Sequence, residues 1–161
     1  MTDKPARKSM NRRPFVGAAG ALLLAISAAS GWGQVHERAA GNYVVHANAL
    51  ASTSLPDSQA RRQGISVAPN TGVLNVVVLK DAGAPGQTVP AAVQAWVSTL
   101  TGAEIPINMR AVAANERVSY IGTFPISARR GAMRFRVAAR PDDHPNTIEF
   151  SFQDKLASRT R

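Results

Sequence analysis

The fold is decided by one stretch of the chain, Val73-Leu74-Asn75-Val76-Val77-Val78-Leu79-Lys80. Six of its eight residues are valine or leucine, and β-branched valine favours extended backbone. A strand with one solvated face would alternate apolar and polar residues, whereas a nearly continuous apolar run is typical of a strand that is covered on both faces. We therefore predict a central strand here.

Six further segments on either side of this stretch alternate apolar and polar residues with a period of two, which predicts half-buried strands. They are 43–50, 89–99, 104–113, 117–126, 132–140 and 147–155. Clusters of Gly, Pro, Asn and Asp separate them. One short helix is predicted within 55–64, where Pro56 and Asp57 can open a turn and Gly64 can end it. Seven short strands at this spacing predict an all-β fold, an immunoglobulin-like antiparallel β-sandwich with one short helix.

The first 29 residues have the pattern of a signal peptide. A cationic head containing Lys4, Lys8 and the pair Arg12-Arg13 precedes an apolar block over 15–30 that ends in small residues. This block is shorter than the roughly 20 residues needed to span a bilayer, so no stable membrane span is expected after cleavage. Arg12-Arg13 partly matches the twin-arginine export pattern, but the pattern as a whole favours the Sec route. We predict a periplasmic protein that begins near Ser30.

The rest of the chain forms one domain in this prediction. Its parts are a disordered mature N-terminus over 30–41, the β-sandwich over 42–155 and a basic tail over 156–161. The net charge of +9 becomes +5 after loss of the leader, because 14 basic and 9 acidic residues remain. There is no cysteine, which excludes disulfides, thiol chemistry and a lipoprotein anchor.

The common catalytic and cofactor motifs are missing from the sequence. It contains no G-x-S-x-G elbow, no Gly-rich phosphate loop and no H-E-x-x-H zinc motif. Asp142-Asp143-His144 carries metal-binding atoms, but three consecutive residues rarely converge on one ion, and we interpret them as a solvated hairpin loop. We accordingly predict no catalytic residue, no cofactor and no metal.

Three polar residues lie within apolar strands and suggest a polar pocket. His46 and Asn48 share one face of the first predicted strand, and Asn75 interrupts the central strand. A buried amide without partners costs about 1 to 3 kcal/mol, so the structural interpretation is that Asn75 fastens a loop such as 52–56. The functional interpretation is a site near His46, and with it a small periplasmic hydrolase or transferase as the alternative function. The role of Trp96 is likewise open between two interpretations. It either covers the core or an edge of the sheet, or it is a surface aromatic residue on which a sugar or peptide could stack.

The strongest candidate for a binding surface is what we call the arginine strip, Arg134, Arg136 and Arg140. The period of two sends Phe135 and Val137 to the core and the three arginines to the opposite face. A regular hairpin places Arg136 opposite Ser151 and Arg134 opposite Gln153, which leaves Glu149 as the nearby acid.

Arg129 and Arg130 extend the same end of the arginine strip. The strip predicts binding to an anionic envelope component or an envelope protein, and the alternative is a solvated face that confers solubility. Nucleic acid is not expected, because the protein is exported and no aromatic residue interleaves the arginines.

Four segments of this chain resemble the signature of one family. They are Tyr43-Val44-Val45-His46-Ala47-Asn48-Ala49-Leu50, Gly64-Ile65, Gly72-Val73-Leu74-Asn75-Val76 and Tyr120-Ile121-Gly122-Thr123-Phe124. The family comprises exported proteobacterial domains known as domain of unknown function 4426, whose members usually carry an aromatic residue where Ala47 stands. The resemblance implies a small all-β periplasmic domain and transfers no catalytic residue, cofactor or substrate. Together with the residues it predicts a non-catalytic binding or accessory module of the cell envelope.

Overall fold

The computed structural model describes residues 34–80, 86–99, 102–126 and 131–156, and within them the chain forms ten strands, one 3₁₀ turn and one short helix. The strands are β1 Val35–Ala40, β2 Tyr43–Ala51, β3 Thr71–Lys80, β4 Gln87–Thr88, β5 Ala91–Thr99, β6 Ile105–Ile107, β7 Arg110–Ala114, β8 Arg117–Pro125, β9 Ala132–Pro141 and β10 Ile148–Lys155. The 3₁₀ turn is Ser52–Ser54 and helix α1 is Asp57–Arg62. The predicted leader and all but the first residue of the predicted basic tail lie outside the described residues.

The described strands form two sheets, in which every pairing is antiparallel. The larger sheet has the order β1-β2-β3-β8-β7, with β4 paired to the end of β3. The smaller sheet has the order β10-β9-β5-β6. Their inner faces share one apolar core, so the predicted all-β antiparallel sandwich is confirmed.

The core lies between the inner faces of β3 and β9. Leu74, Val76 and Val78 are completely buried from the larger sheet, as is Phe135 from the smaller one. Ring centroids of Phe124 and Phe135 lie 5.1 Å apart in an edge-to-face contact that joins the two sheets. The predicted central strand is confirmed, because β3 lies between β2 and β8.

The predicted coverage of β3 on both faces is only partly correct, because its outer face is covered at one end only. Helix α1 and its flanking turns bury a second, smaller cluster against this face, comprising Leu50, Leu55, Ala60, Ile65, Val73 and Ile121. Farther along the same face Val77 and Leu79 are only half-buried. Helix α1 lies where the sequence predicts it, and Gly64 follows it with a φ of +60°, a conformation that favours glycine.

The predicted disordered segment over 30–41 is wrong for residues 35–40, which form β1 at the edge of the larger sheet. His36 explains the order of this strand, because its ring stacks on Phe152 of β10 with a centroid separation of 4.2 Å. The sandwich therefore begins before residue 42. At the other end Leu156 packs against the core, so the predicted tail starts one residue early.

The described residues form ten strands rather than the predicted seven, because β1 and β4 are additional and one predicted strand, 104–113, is divided between the sheets. Segment 104–113 forms β6 in the smaller sheet and β7 in the larger one, and segment 89–99 follows β4 in the larger sheet before joining the smaller sheet as β5. The crossing between β6 and β7 presses against Gly122 of β8. A Cβ there would lie 2.5 Å from Ile107 Cγ2 and 2.9 Å from the backbone oxygen of Asn108.

Candidate functional site

The arginine strip lies on the outer face of the smaller sheet, on β9. The predicted register is confirmed for Arg136, which pairs with Ser151, and for Arg134, which pairs with Gln153. On its other side β9 pairs with β5, which places Arg136 opposite Trp96 and Arg140 opposite Ala92. The two further arginines of the prediction, Arg129 and Arg130, lie outside the described residues.

Arg136 pairs with two carboxylates of the protein, Glu104 and Glu149. The sequence predicts only one acid, Glu149, near the arginine strip. Arg136 Nη2 donates to Glu104 Oε2 at 2.8 Å, its Nε also donates to that carboxylate, and its Nη1 donates to Glu149 Oε1 at 3.2 Å. The guanidinium carbon lies 3.7 Å from the ring centroid of Trp96, so one face of that ring is occupied. The hydrogen bond raises the pKa of Arg136 and lowers the pKa of Glu104.

Glu104 is the residue that the sequence analysis missed. It directly precedes β6, and β6 pairs with β5 through Trp96 opposite Pro106, which brings the Glu104 carboxylate over β5 to Arg136 on β9. In the sequence, Thr101-Gly102 between the predicted strands 89–99 and 104–113 indicates a turn just before Glu104. The sequence does not indicate that β9 lies next to β5 in the sheet, and this strand order is what brings Arg136 within reach of Glu104.

Arg134 and Arg140 are the exposed arginines that remain on this face in the described part of the chain. Arg134 lies close enough to Glu104 to lower the pKa of its carboxyl further. Arg140 has no ion-pair partner within the described ranges, and it lines a shallow open depression together with Ala92, Gln94, Ala138 and Thr147. This part of the face therefore combines a free guanidinium, two further hydrogen-bonding side chains and a floor of two methyl groups.

The predicted polar pocket residues lie together on the outer face of the larger sheet. Asn48 and Asn75 are directly opposite each other across β2 and β3, and His46 is opposite Val77 on the same face. His46 Nε2 lies 3.6 Å from Glu37 Oε2 on β1. The prediction that the three residues share one face is therefore met.

The two asparagines do not hold a loop through their side-chain amide oxygens. Asn48 Oδ1 and Asn75 Oδ1 are buried without a hydrogen-bond partner among the described residues. The loop is held by Ser52, whose hydroxyl donates to the Ala68 oxygen at 2.9 Å and accepts from the Ala68 amide at 3.0 Å. Ser52 is fully buried, and the available signal in the sequence was its position directly after the apolar residues Ala49-Leu50-Ala51.

The loop between β9 and β10 is bound to the larger sheet and is not merely solvated. Tyr43 donates its hydroxyl hydrogen to Asp143 Oδ1 at 2.7 Å, and Lys80 donates to Asp143 Oδ2. His144 packs edge-on against the Tyr43 ring at 5.0 Å. Lys80 and Tyr43 lower the pKa of Asp143, and Asp143 raises the pKa of Lys80. These contacts close one end of the sandwich.

A second acid–base pair lies at the edge where β1 meets β10. His36 Nε2 and Asp154 Oδ2 are 4.0 Å apart, and both atoms are buried without a hydrogen-bond partner among the described residues. Burial raises the pKa of Asp154.

Neither the group around Asp143 nor the His36–Asp154 pair has the composition of a metal centre. Across the described ranges, no group of three or more His, Asp or Glu side chains is placed to hold a metal ion. In the same ranges no helix has the length and hydropathy required to cross a bilayer.

The family model of DUF4426, a domain of unknown function, matches residues 37–157, which include strands β2 to β10. The chain belongs to the DUF4426 family. A crystal structure of a DUF4426 family protein from Pseudomonas aeruginosa PAO1 is similar, with 27% identity and a TM-score of 0.66, covering 78% of this chain and 97% of that one. The predicted family is thereby confirmed.

A more distant structural similarity concerns the fold alone. The copper-bound form of a FetP variant from uropathogenic Escherichia coli strain F11 is 12% identical with a TM-score of 0.57, covering 80% of this chain and 98% of that one. No curated protein sequence matches this chain significantly. The DUF4426 sandwich is thus shared with proteins of different sequence.

Proposed function

We propose that this DUF4426 protein is an exported, non-catalytic module of the bacterial cell envelope that binds an anionic envelope component or an acidic protein. The binding surface is the outer face of the smaller sheet. The observation that carries the proposal is Arg140, an exposed guanidinium without an ion-pair partner in the described residues, beside an open depression. Localisation rests on the leader pattern of residues 1–29.

The arrangement around Arg136 supports a binding role for this face. Glu104 and Glu149 both form their ion pairs with Arg136, and in the described part of the chain neither carboxylate forms an ion pair with Arg140 or Arg134. The guanidinium on Trp96 also holds the centre of the face in one conformation. A partner therefore meets a preformed surface with cations at both ends.

The alternative function, a small hydrolase or transferase near His46, is not favoured by the contacts. The side chain paired with the imidazole is the carboxylate of Glu37, which is 70% exposed. A nucleophile within hydrogen-bond reach of the base is the usual requirement for acyl or group transfer. In the described part of the chain, no hydroxyl group forms a hydrogen bond with His46.

The test compares three forms of the purified protein for binding to native envelope extract at low and at roughly physiological salt. They are the wild type, the double variant R134Q/R140Q and the control R62Q/R117Q. The control removes two exposed arginines from α1 and β8 of the other sheet and so loses the same charge. R134Q/R140Q leaves the Arg136 contacts in place.

We expect the wild type and the control to bind alike, with weaker binding at the higher salt. R134Q/R140Q should bind about tenfold or more weakly at low salt, because two charge-assisted contacts are lost. Equal binding by all three proteins at both salt concentrations would contradict the proposal.

A further inference from the structure

The depression beside Arg140 is formed by the local pattern of side-chain sizes. In the β5–β9 register Ala92 lies opposite Arg140 and Gln94 opposite Ala138. Farther along the same two strands the pair is Trp96 and Arg136, whose stacked side chains rise above the sheet. Two alanines next to two large side chains leave a hollow, and Thr147, just before β10, closes its third side.

The charge around this hollow is positive without compensation. Its rim contains Arg140 and no acidic side chain. Glu149 lies next to the hollow, because it pairs with Ala138 across the β9–β10 ladder, but its Oε1 accepts from Arg136 Nη1 at 3.2 Å. Arg136 thus withdraws the carboxylate that would otherwise serve Arg140.

The donors around the hollow match an oxyanion. The Arg140 guanidinium offers a planar fork of N–H groups, the Gln94 amide offers two N–H donors, and the Thr147 hydroxyl offers one more. The methyl groups of Ala92 and Ala138 form an apolar floor beside these donors. The hollow has about 260 Å³, below the roughly 300 to 1,000 Å³ typical of pockets that enclose a drug-sized ligand.

We propose that this hollow is an anion subsite that takes the terminal oxyanion of a larger molecule, a carboxylate or a phosphate monoester, with its apolar neighbour on the two alanines. This inference deepens the proposed function and rests on it. Arg140 binds the oxyanion through two parallel N–H···O bonds, and Gln94 and Thr147 donate to its remaining oxygens. Arg136 is a positioning residue, because it keeps Glu149 away from the ligand.

The experiment is a titration of the purified protein, followed by backbone amide NMR, with three probes of similar shape: benzoate, phenyl phosphate and the neutral benzamide. The matched variants are R140Q and R134Q, which remove the same charge from the same face of β9. Six residues separate them, about 20 Å along a strand. A third variant, T147V, tests a neutral donor.

We expect shifts localised to Ala92, Gln94, Ala138 and Arg140 with benzoate, phenyl phosphate or both, and none with benzamide. Comparison of the two anions identifies which oxyanion is preferred. R140Q should weaken binding about tenfold or more, T147V by a few fold, and R134Q by less than about twofold.

Two results would overturn the subsite. One is equal weakening in R140Q and R134Q, which indicates a general effect of charge. The other is salt-sensitive binding to envelope extract with no localised shift from either anion, in which case the proposed function stands and the subsite does not. Failure of the wild type to bind both the extract and the probes would reject the two proposals together.

Discussion

Arg136 and Arg140 carry the same side chain on the same face of β9, four residues apart, and the structure gives them different roles. Arg136 is held by two carboxylates and an indole ring, whereas Arg140 faces a hollow with no acid on its rim. A guanidinium that already makes several charge-assisted bonds has few donors left for a ligand. The environment of each arginine therefore decides its role, and Arg140 is the residue to test for binding.

Replacement of aspartate by asparagine is expected to change the stability of the protein in opposite directions at Asp154 and at Asp143. Burial raises the folded-state pKa of Asp154, so its contribution to stability is complete below the ordinary aspartate pKa and is lost as the pH rises through the raised value. Lys80 lowers the folded-state pKa of Asp143, so that contribution is present above the ordinary pKa and is lost as the pH falls through the lowered value.

At pH 7 we therefore expect Asp154→Asn to raise the free energy of unfolding and Asp143→Asn to lower it. The measurement is urea denaturation of both variants and the wild type from about pH 3 to pH 8. The exposed neighbour Asp142 provides the control, since Asp142→Asn should follow the wild type. A loss of stability in Asp154→Asn at pH 7 would show that its carboxylate is stabilising despite burial.

At the scale of elements, the structure differs from the sequence prediction where the chain passes from one sheet to the other. The crossing between β6 and β7 occupies residues 108 and 109, and it fits only because Gly122 of β8 has no side chain. In β6 the buried residue is Ile107, which lies in the main core, whereas in β7 it is the half-buried Val112, which packs against the smaller cluster near α1. Periodicity recognises the strands but does not show which cluster each half packs against, so it misses the division.

We expect Gly122→Ala to destabilise the protein by about 1 to 3 kcal/mol, the usual cost of an overpacked core. The added Cβ would meet Ile107 Cγ2 at 2.5 Å, Met109 Sδ at 2.7 Å and the Asn108 oxygen at 2.9 Å, and the last of these is backbone. The exposed neighbour on the same strand gives the control Thr123→Ala. Thermal or chemical denaturation measures the difference, and equal stability of the two variants would mean that the crossing can shift.

At the scale of the whole molecule, the two sheets are connected by contacts at their edges as well as by the core. His36 of β1 stacks on Phe152 of β10, and Tyr43 and Lys80 hold the loop that contains Asp143. Because β1 begins at Val35, the strand needs every residue from that point on. We therefore expect cleavage of the predicted leader to occur before Val35.

We expect the exported protein to begin between Ser30 and Gln34, which leaves β1 whole, and to be recovered from the periplasm. Mass spectrometry of the native N-terminus checks this. Replacement of Arg12 and Arg13 by lysine should leave export intact on the Sec route and block it on the twin-arginine route. A protein that retains Met1 and stays with the membrane would refute the leader assignment.

The sequence by itself determined the strand content, the central position of β3, the short helix ended by Gly64, the outward direction of the β9 arginines and the family. These features depend on period-two burial and on local backbone preference, which neighbouring residues encode. Only the tertiary structure decided that Glu104 neutralises Arg136, that Ser52 rather than Asn75 holds a loop, and that residues 35–40 join the sheet. The physical reason is that Glu104 contacts Arg136, Ser52 contacts Ala68 and His36 contacts Phe152 across long stretches of chain, and the periodicity of a single strand does not encode the strand order that brings such residues together.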